Sequence, residues 1–152
     1  MRLRVRIEPN GTATSGDMFS AKWRVANQGA RAVDVSNVSF QLHTTKQFAR
    51  YVRELGFVFG GTLVMDHYPP GLRPQDVIQS NAYKDYGLTM TPMQVRMLIK
   101  QANAPCPDGW SPDWVVPVLR CTITGPDGTS KTFTEALPLV GTIDAYKAEL
   151  TE

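Results

Sequence analysis

The amino-acid sequence predicts a mainly β protein, a sandwich of two sheets with a helix-containing insertion that makes the chain α+β overall. Short segments at both ends of the chain alternate apolar and polar side chains, which is typical of strands with one buried face. Turn sequences rich in glycine, proline and asparagine separate these segments. The 152 residues, 42% hydrophobic and 20% charged, have the size and composition of one globular domain, so we expect residues 1–152 to form a single domain.

Three strands are predicted in the first part of the chain. Residues 2–7 alternate arginine with apolar side chains, and residues 19–25 alternate in the same way. A third extended segment covers residues 33–42. Its valines change phase near Ser36 and Asn37, which predicts a β-bulge at that point.

The middle of the chain, residues 44–113, is expected to form a helix- and loop-rich insertion packed against one end or edge of the sheets. The apolar spacing over residues 45–55 predicts an amphipathic helix, and a capping box that begins at Thr91 predicts a second one. The buried stripe of the second helix is predicted at Met93, Met97, Leu98 and Ala102. Prolines and glycines predict irregular chain over residues 66–87 and 105–113.

The last part of the chain returns to β structure. Residues 115–123 form a predicted strand, in which Pro117 is typical of an edge or a bulge. The turn sequence Gly-Pro-Asp-Gly that begins at Gly125 predicts a hairpin to a strand over residues 131–140. A short terminal helix is predicted over residues 142–150.

The segment from Gly16 to Gly29 resembles a pattern of immunoglobulin-like β-sandwich modules. In CARDB-type bacterial adhesion modules and in the four-tryptophan domain of selective-autophagy receptors, a glycine turn leads into an alternating strand that ends in Asn-x-Gly. The hairpin over residues 122–134 resembles the last strand pair of such modules. The resemblance covers residues 1–43 and 114–140 and implies an immunoglobulin-like sandwich. The chain lacks the second tryptophan of the four-tryptophan pattern, and a shared fold does not imply a shared function.

Residues suited to catalysis or metal binding are few. The chain has two histidines, His43 and His67, and two cysteines, Cys106 and Cys121, which we expect to be reduced. Their spacing matches no pair of zinc ligands, and neither a Gly-x-Ser-x-Gly motif nor a phosphate-binding loop is present. We therefore expect no catalytic residues, no metal site and no cofactor. A small enzyme centred on His67 or Cys106 is the least favoured hypothesis.

Two loop regions, residues 66–88 and 105–114, are the expected partner-binding sites, because long loops on a rigid sandwich commonly carry binding. Aromatic side chains in these loops are suited to anchor a protein partner. The candidates are Tyr68, Tyr83, Tyr86, Trp110 and Trp114. Exposed rings also stack on sugars, so a carbohydrate-binding module is the alternative hypothesis. The two tryptophans would have a purely structural role if they plugged the end of the sandwich.

A basic patch is the second candidate surface. Pairing of the first two strands would bring together Arg2, Arg4, Arg6, Lys22 and Arg24. Such a patch would contact phosphates or an acidic partner, although a solvated charged face is the simpler interpretation. Few aromatic residues interleave with these positions, so stacking on nucleic acid is not indicated.

The bulk properties limit the classes of partner. A formal net charge of +2 is too small to indicate a nucleic acid or a membrane surface by itself. The sequence contains neither a membrane-spanning apolar run nor the apolar region of a signal peptide, so we expect a cytoplasmic protein without a membrane partner. The leading hypothesis is a non-catalytic interaction or assembly module that binds another protein or a second copy of itself.

Overall fold

The computed structural model describes residues 3–15, 18–57, 62–68, 72–106 and 114–137. The strands and helices in these ranges, in chain order, are β1 (Val5–Ser15), β2 (Met18–Asn27), β3 (Val33–Thr44), α1 (Lys46–Glu54), β4 (Val64–His67), β5 (Gln75–Ile78), β6 (Tyr83–Met90), α2 (Pro92–Gln101), β7 (Val115–Thr124) and β8 (Ser130–Ala136). The terminal helix predicted over residues 142–150 lies outside the described residues.

The strands form two antiparallel sheets. The three-stranded sheet has the order β1-β2-β6. The five-stranded sheet has the order β4-β3-β7-β8, and β5 pairs with the first half of β3 while β4 pairs with its second half. The predicted fold class, a mainly β sandwich with a helical insertion, is confirmed.

Trp23 of β2 and Phe40 of β3 lie at the centre of the core between the sheets. Both side chains are fully buried, and their ring centroids are 5.6 Å apart. Every second residue on these strands shares their burial, including Ala21, Val25, Val35 and Leu42. Because burying one large aliphatic side chain stabilises a protein by about 1.5–3 kcal/mol, this alternation determines which side of each strand faces solvent.

The β-bulge predicted near Ser36 and Asn37 is present. The register of β3 against β7 shifts between Ser36 and Ser39, and Asn37 has a φ of 53°. Asparagine tolerates this left-handed region better than most residues. The extra residue restores the phase of β3, so that Val35 and Val38 both face the core.

Both predicted helices are present, and each begins at a threonine cap. The Thr45 side chain accepts a hydrogen bond from the Phe48 backbone N–H at 3.3 Å. At α2, Thr91 Oγ1 accepts from the Gln94 N–H at 3.2 Å, and Gln94 Oε1 accepts from the Thr91 N–H at 2.8 Å, which completes the predicted capping box. Among the described residues, no helix is long and apolar enough to cross a membrane.

The predicted buried stripe of α2 was wrong at Met93, Met97 and Ala102, whereas Leu98 is half-buried and packs against the core as predicted. Val95 and Ile99 are fully buried, whereas Met93 and Met97 are 71% and 53% exposed. Both pairs have the four-residue spacing of one helix face, so apolar periodicity alone does not choose between them. The helix packs on its shorter, β-branched side chains and leaves the methionines at the surface.

The prediction of irregular chain over residues 66–87 was wrong where β5 and β6 form. The inward positions of these two strands carry polar residues, Asp76 on β5 and Lys84 on β6, which obscure the apolar alternation. The strand β6 is an edge of the three-stranded sheet. The middle segment therefore contributes strands to both sheets in addition to its helices.

The predicted C-terminal hairpin is formed by β7 and β8. Its turn has Gly128 at a φ of 85°, and Asp127 accepts a hydrogen bond from the Thr129 N–H at 3.0 Å. Pro117 was predicted to mark an edge strand or a bulge. The strand β7 lies between β3 and β8, so it is not an edge strand. The Pro117 carbonyl accepts from the Leu137 N–H at 2.9 Å. Pro117 has no N–H to donate toward β8. This causes no loss of strand pairing, because Pro117 lies just past the end of β8.

Ile99→Ala is expected to lower the free energy of unfolding by about 2–5 kcal/mol, because it removes core contacts and leaves a cavity. Met97→Ala is the matched control on the exposed stripe and should change that free energy by less than about 0.5 kcal/mol. Equilibrium urea denaturation followed by circular dichroism measures both values. Equal losses in the two variants would mean that α2 also packs on its methionines.

Candidate functional site

The five aromatic residues predicted to bind a partner lie in different environments. Tyr68 and Tyr83 are 68% and 57% exposed. Tyr86 and Trp114 are core residues with 4% and 5% exposure, which corrects their prediction as surface residues. Trp110 lies outside the described residues.

Trp114 joins α1 to the start of β7. Its ring centroid lies 5.6 Å from that of Phe48 and 5.1 Å from that of Tyr51. Its backbone carbonyl accepts a hydrogen bond from the Thr45 N–H at 2.9 Å. These contacts hold the helix over the end of the sheet. Trp114 therefore has the purely structural role that was one of the two interpretations of its sequence position.

Tyr86 belongs to a polar cluster that connects the two sheets, in which Asp76 is buried and Lys84 is partly exposed. Its hydroxyl donates to Oδ2 of Asp76 at 2.9 Å, and Nζ of Lys84 lies 2.6 Å from Oδ1 of the same carboxylate. Asp76 is on β5 of the five-stranded sheet, whereas Lys84 and Tyr86 are on β6 of the other. Burial raises the pKa of Tyr86, and the bond to Asp76 raises it further, so the phenol stays a donor.

The pKa of Asp76 results from opposing effects. Burial by itself would raise it, but the hydrogen bonds from Lys84 and Tyr86 outweigh burial and hold the pKa below its usual value. The carboxylate is therefore charged at neutral pH although it is 8% exposed. A charged group at this depth is stable only because both of its oxygens are paired.

The outward side of the three-stranded sheet carries the other exposed candidate residues, and we call it the front face. Its members are Arg4, Arg6, Glu8, Lys22, Arg24, Tyr83 and Asp85. Arg24 in the central strand β2 lies opposite Glu8 of β1 and Asp85 of β6. Side chains two residues apart on a strand share a face, so the remaining members point the same way.

The front face brings the predicted basic residues together, but it also contains acids. Arg6 Nε lies 3.8 Å from Glu8 Oε1, and Arg24 pairs with Asp85. Four described cations face two carboxylates, which leaves an excess of two positive charges on this surface. Glu8 continues the alternation of the arginines and was visible in the sequence, whereas Asp85 lay in the segment expected to be irregular. Arg2 lies outside the described residues.

Arg24 has the most ordered geometry on the front face. Its Nε and Nη2 atoms donate to the two carboxylate oxygens of Asp85 at 3.0 and 3.2 Å. Its guanidinium carbon lies 3.8 Å from the centroid of the Tyr83 ring, a cation–π contact. The hydrogen bond to Asp85 raises the pKa of Arg24, so the group remains charged. One aspartate and one tyrosine thus hold a partly exposed arginine in a defined position.

Lys22 lies across the neighbouring strand at Gly87. A Cβ atom at Gly87 would stand 3.3 Å from Lys22 Cγ, closer than an ordinary contact. The absence of a side chain at Gly87 therefore lets the apolar stem of Lys22 lie flat on the sheet.

The histidines are on the five-stranded sheet. Gln41 Nε2 donates to Asp66 Oδ1 at 3.1 Å, and Gln41 Oε1 lies 3.1 Å from His43 Nε2. Burial lowers the pKa values of His43 and His67. The His67 side chain makes no hydrogen bond or ion pair with another described residue. Within the described ranges, no group of three histidine, cysteine or acidic side chains is placed to hold a metal ion.

No disulfide joins Cys106 and Cys121. Cys121 faces the core, and burial raises the pKa of its thiol to about 11. The thiol is consequently protonated at neutral pH and is a poor nucleophile. Cys121 therefore acts as a small apolar core residue.

Comparison with known proteins gave no match to a protein-family model and no match to a curated protein. Among solved structures, the chain is similar to the structural-genomics target SoR45, with 13% identity, a TM-score of 0.46 and coverage of 93% of this chain and 87% of that one. It is also similar to a protein described as ApaA from Bordetella pertussis, with 13% identity, a TM-score of 0.44 and coverage of 93% and 96%.

A third similar structure is a β-glucosidase from Kluyveromyces marxianus in complex with glucose, with 10% identity and a TM-score of 0.43. The alignment covers 89% of this chain but only 14% of the glucosidase. At these identities and TM-scores, none of the three supports a statement about the function of this chain.

Asp76→Asn is expected to lower the free energy of unfolding by about 1–3 kcal/mol near pH 7, because it weakens the pairing of Lys84 and Tyr86 in the polar cluster. Asp34→Asn is the matched control, since Asp34 lies on the outward side of the adjacent strand β3 and bonds to no described side chain. Equilibrium urea denaturation of both variants measures the loss.

The difference in the free energy of unfolding between wild type and Asp76→Asn should depend on pH. A carboxyl group whose pKa is lower in the folded than in the unfolded state stabilises the fold above its unfolded-state pKa, about 3.9 for aspartate. That stabilisation is lost as the pH falls through the folded-state pKa. The difference between wild type and Asp76→Asn should therefore shrink between about pH 5 and about pH 2. A difference that stayed constant over this interval would contradict the pairing described for Asp76.

Proposed function

We propose that this protein is a non-catalytic interaction module that binds an acidic surface of another protein through its front face. The observation that carries the proposal is the partly exposed Arg24, held by Asp85 on one side and by the ring of Tyr83 on the other. Arginine and tyrosine are among the residues that contribute most to binding at protein interfaces. Here the two are adjacent on a sheet, at the surface and already ordered.

Order before binding lowers the cost of binding. Immobilising a flexible side chain at an interface costs about 0.5–1.5 kcal/mol, and long cations are the most flexible side chains. The contacts of Arg24 with Asp85 and with the ring of Tyr83 restrict this cation in the free protein. The front face is thus better suited to binding than a set of freely moving lysines and arginines would be.

The charge pattern favours an acidic protein over a nucleic acid. The excess of two positive charges attracts an acidic partner and accelerates its association. Glu8 and Asp85 stand among the cations, and they would repel a continuous row of phosphates. A protein surface with separated carboxylates and donors can pair with both signs.

The front face is less suited to a second copy of this chain. A symmetric dimer would place two identical faces together, each with an excess of positive charge. Pairing through the edge strand β8 is also disfavoured, because Lys131 and Glu135 occupy the core-facing side of that strand. Another protein is therefore the partner that the charges favour.

The proposal changes the expected position of the binding surface. It retains Tyr83 from the loop region 66–88 and combines it with the predicted basic residues Arg4, Arg6, Lys22 and Arg24. Most of the other predicted loop, residues 105–114, lies outside the described residues and contributes nothing to the proposal.

The test compares the proteins captured from a lysate of the native source by wild type and by two front-face variants, Lys22→Glu and Tyr83→Ala. Lys100→Glu and Phe57→Ala are matched controls, because both residues are exposed and lie outside the front face. We expect at least one acidic protein to be captured by wild type and by both controls but lost by both front-face variants. Capture patterns that do not differ between the two pairs of variants would overturn the proposal.

Calorimetry with the purified partner then tests whether positive charge on the front face strengthens binding. Lys22→Glu and Tyr83→Ala should each raise Kd by about tenfold or more, and higher salt should weaken binding by wild type. Glu8→Gln adds to the excess positive charge and should lower Kd. Tighter binding by Lys22→Glu than by wild type would contradict an acidic partner.

A further inference from the structure

The outward side of the five-stranded sheet has a polar groove of about 370 Å³ near the bulge of β3, which we call the back groove. It is lined by Asn37, Val38, Ser39, Tyr68, Arg120, Cys121, Thr122 and Thr132. We propose that the back groove binds a polyhydroxylated anion of monosaccharide size, either a sugar acid or a sugar phosphate. This site lies on the opposite sheet from the front face, and its chemistry is independent of the proposed protein partner.

Arg120 supplies the reason for an anion. It is exposed on β7, and none of the described residues that line the groove is acidic. Its guanidinium forms no ion pair or hydrogen bond with another described residue, in contrast to Arg24 of the front face, which is neutralised by Asp85. A guanidinium presents parallel donors that match a carboxylate or a phosphate. An anion in the groove would therefore give Arg120 the hydrogen-bond partner that it lacks among the described residues.

The remaining polar lining supplies the reason for hydroxyl groups on the ligand. The side chains of Asn37 and Ser39 form no hydrogen bond with another described residue. The hydroxyls of Thr122 and Thr132 are 3.3 Å apart, a long contact that leaves each with further bonding capacity. Amide and hydroxyl groups both donate and accept, as the hydroxyls of a sugar do.

Tyr68 and the bulge give the groove its shape. Tyr68 follows the end of β4 and is 68% exposed, so its ring is available to pack against the apolar face of a sugar. The bulge turns Asn37 out of the regular register of β3 at the opposite wall. The sequence predicts sugar stacking by exposed tryptophans and tyrosines. Of these candidates Trp114 is buried, whereas Tyr68 is an exposed ring at a groove.

The dimensions of the groove limit the size of the ligand. Small-molecule sites commonly measure roughly 300–1,000 Å³, so the back groove is at the lower end of that range. One described aromatic ring lines it, which is enough to pack against one sugar ring but not against a chain of them. A monosaccharide therefore fits better than a polysaccharide.

The test is calorimetric titration of wild type with four probes, glucose, glucuronate, glucose 6-phosphate and inorganic phosphate. The three sugars share one ring and differ at carbon 6, so the comparison isolates the charge. We expect glucuronate or glucose 6-phosphate, or both, to bind about tenfold or more tightly than glucose and inorganic phosphate. Preference for one of the two anions would identify the source of the charge, carboxylate or phosphate.

Variants assign the binding to the groove. Arg120→Gln and Thr132→Val should each weaken binding of the preferred anion, with the larger loss, about tenfold or more, for Arg120→Gln. Tyr68→Ala should weaken it, whereas Tyr68→Phe should retain it because the ring and not the hydroxyl is used. Arg50→Gln, on the exposed side of α1, is the matched control and should bind as wild type does.

Three results would overturn the proposal. The first is no binding of either anionic sugar by a wild-type protein that unfolds cooperatively. The second is equal affinity for inorganic phosphate and the anionic sugars, since the hydroxyl groups would then contribute nothing. The third is binding that is unchanged in Arg120→Gln and Tyr68→Ala. None of these results bears on the front face, which is tested with a protein partner.

Discussion

The contact of Asp76 with Lys84 and Tyr86 determines how the two sheets are joined. The chain passes from β5 in one sheet to β6 in the other through four residues, so the phase of both strands must be set within a short connection. Asn27 holds that connection: its side-chain amide donates to the carbonyl of Ile78 at 3.0 Å, and its backbone N–H donates to the carbonyl of Ala82 at 2.9 Å. With Tyr86 bonded to Asp76 across the core, β6 has one register available to it.

The register of β6 fixes both faces of the strand. When Lys84 and Tyr86 point inward, Tyr83 and Asp85 point outward beside Arg24. A slip by one residue would bury Asp85 and expose Tyr86, because side chains alternate along a strand. The polar cluster and the partly exposed arginine are therefore two consequences of one constraint, and the proposed binding surface depends on a contact that lies beneath it.

The parts of the fold that were predictable from sequence depend on local patterns. Alternation located the first three strands, although β1 continues to Ser15, beyond the predicted residues 2–7. The valine phase change located the bulge, and Thr91 with Gln94 identified the start of α2. The parts that were missed depend on contacts between different elements. The strand β6 was hidden because Lys84 and Tyr86 face inward only by virtue of Asp76, and the stripe of α2 was chosen by packing rather than by periodicity.

The candidate sites likewise contain some residues that the sequence predicts and others that only the structure brings together. The cations of the front face were predictable because they alternate, but the pairing of Arg24 with Asp85 required knowledge that β2 and β6 are neighbours. The back groove was not predictable, since Tyr68 and Arg120 come together only through the order of the five-stranded sheet. Aromatic residue type alone does not identify binding residues, because Tyr83 is exposed whereas Tyr86, three residues later, is buried.

Site-specific photocrosslinking in the native source tests most directly whether the front face is the binding surface. Benzoylphenylalanine is placed in one protein at the position of Tyr83 and in another at the position of Val77, which is 55% exposed on β5 of the other sheet. The account predicts a covalent complex with a protein partner from position 83 and none from position 77. A complex formed from position 77 and not from position 83 would contradict it.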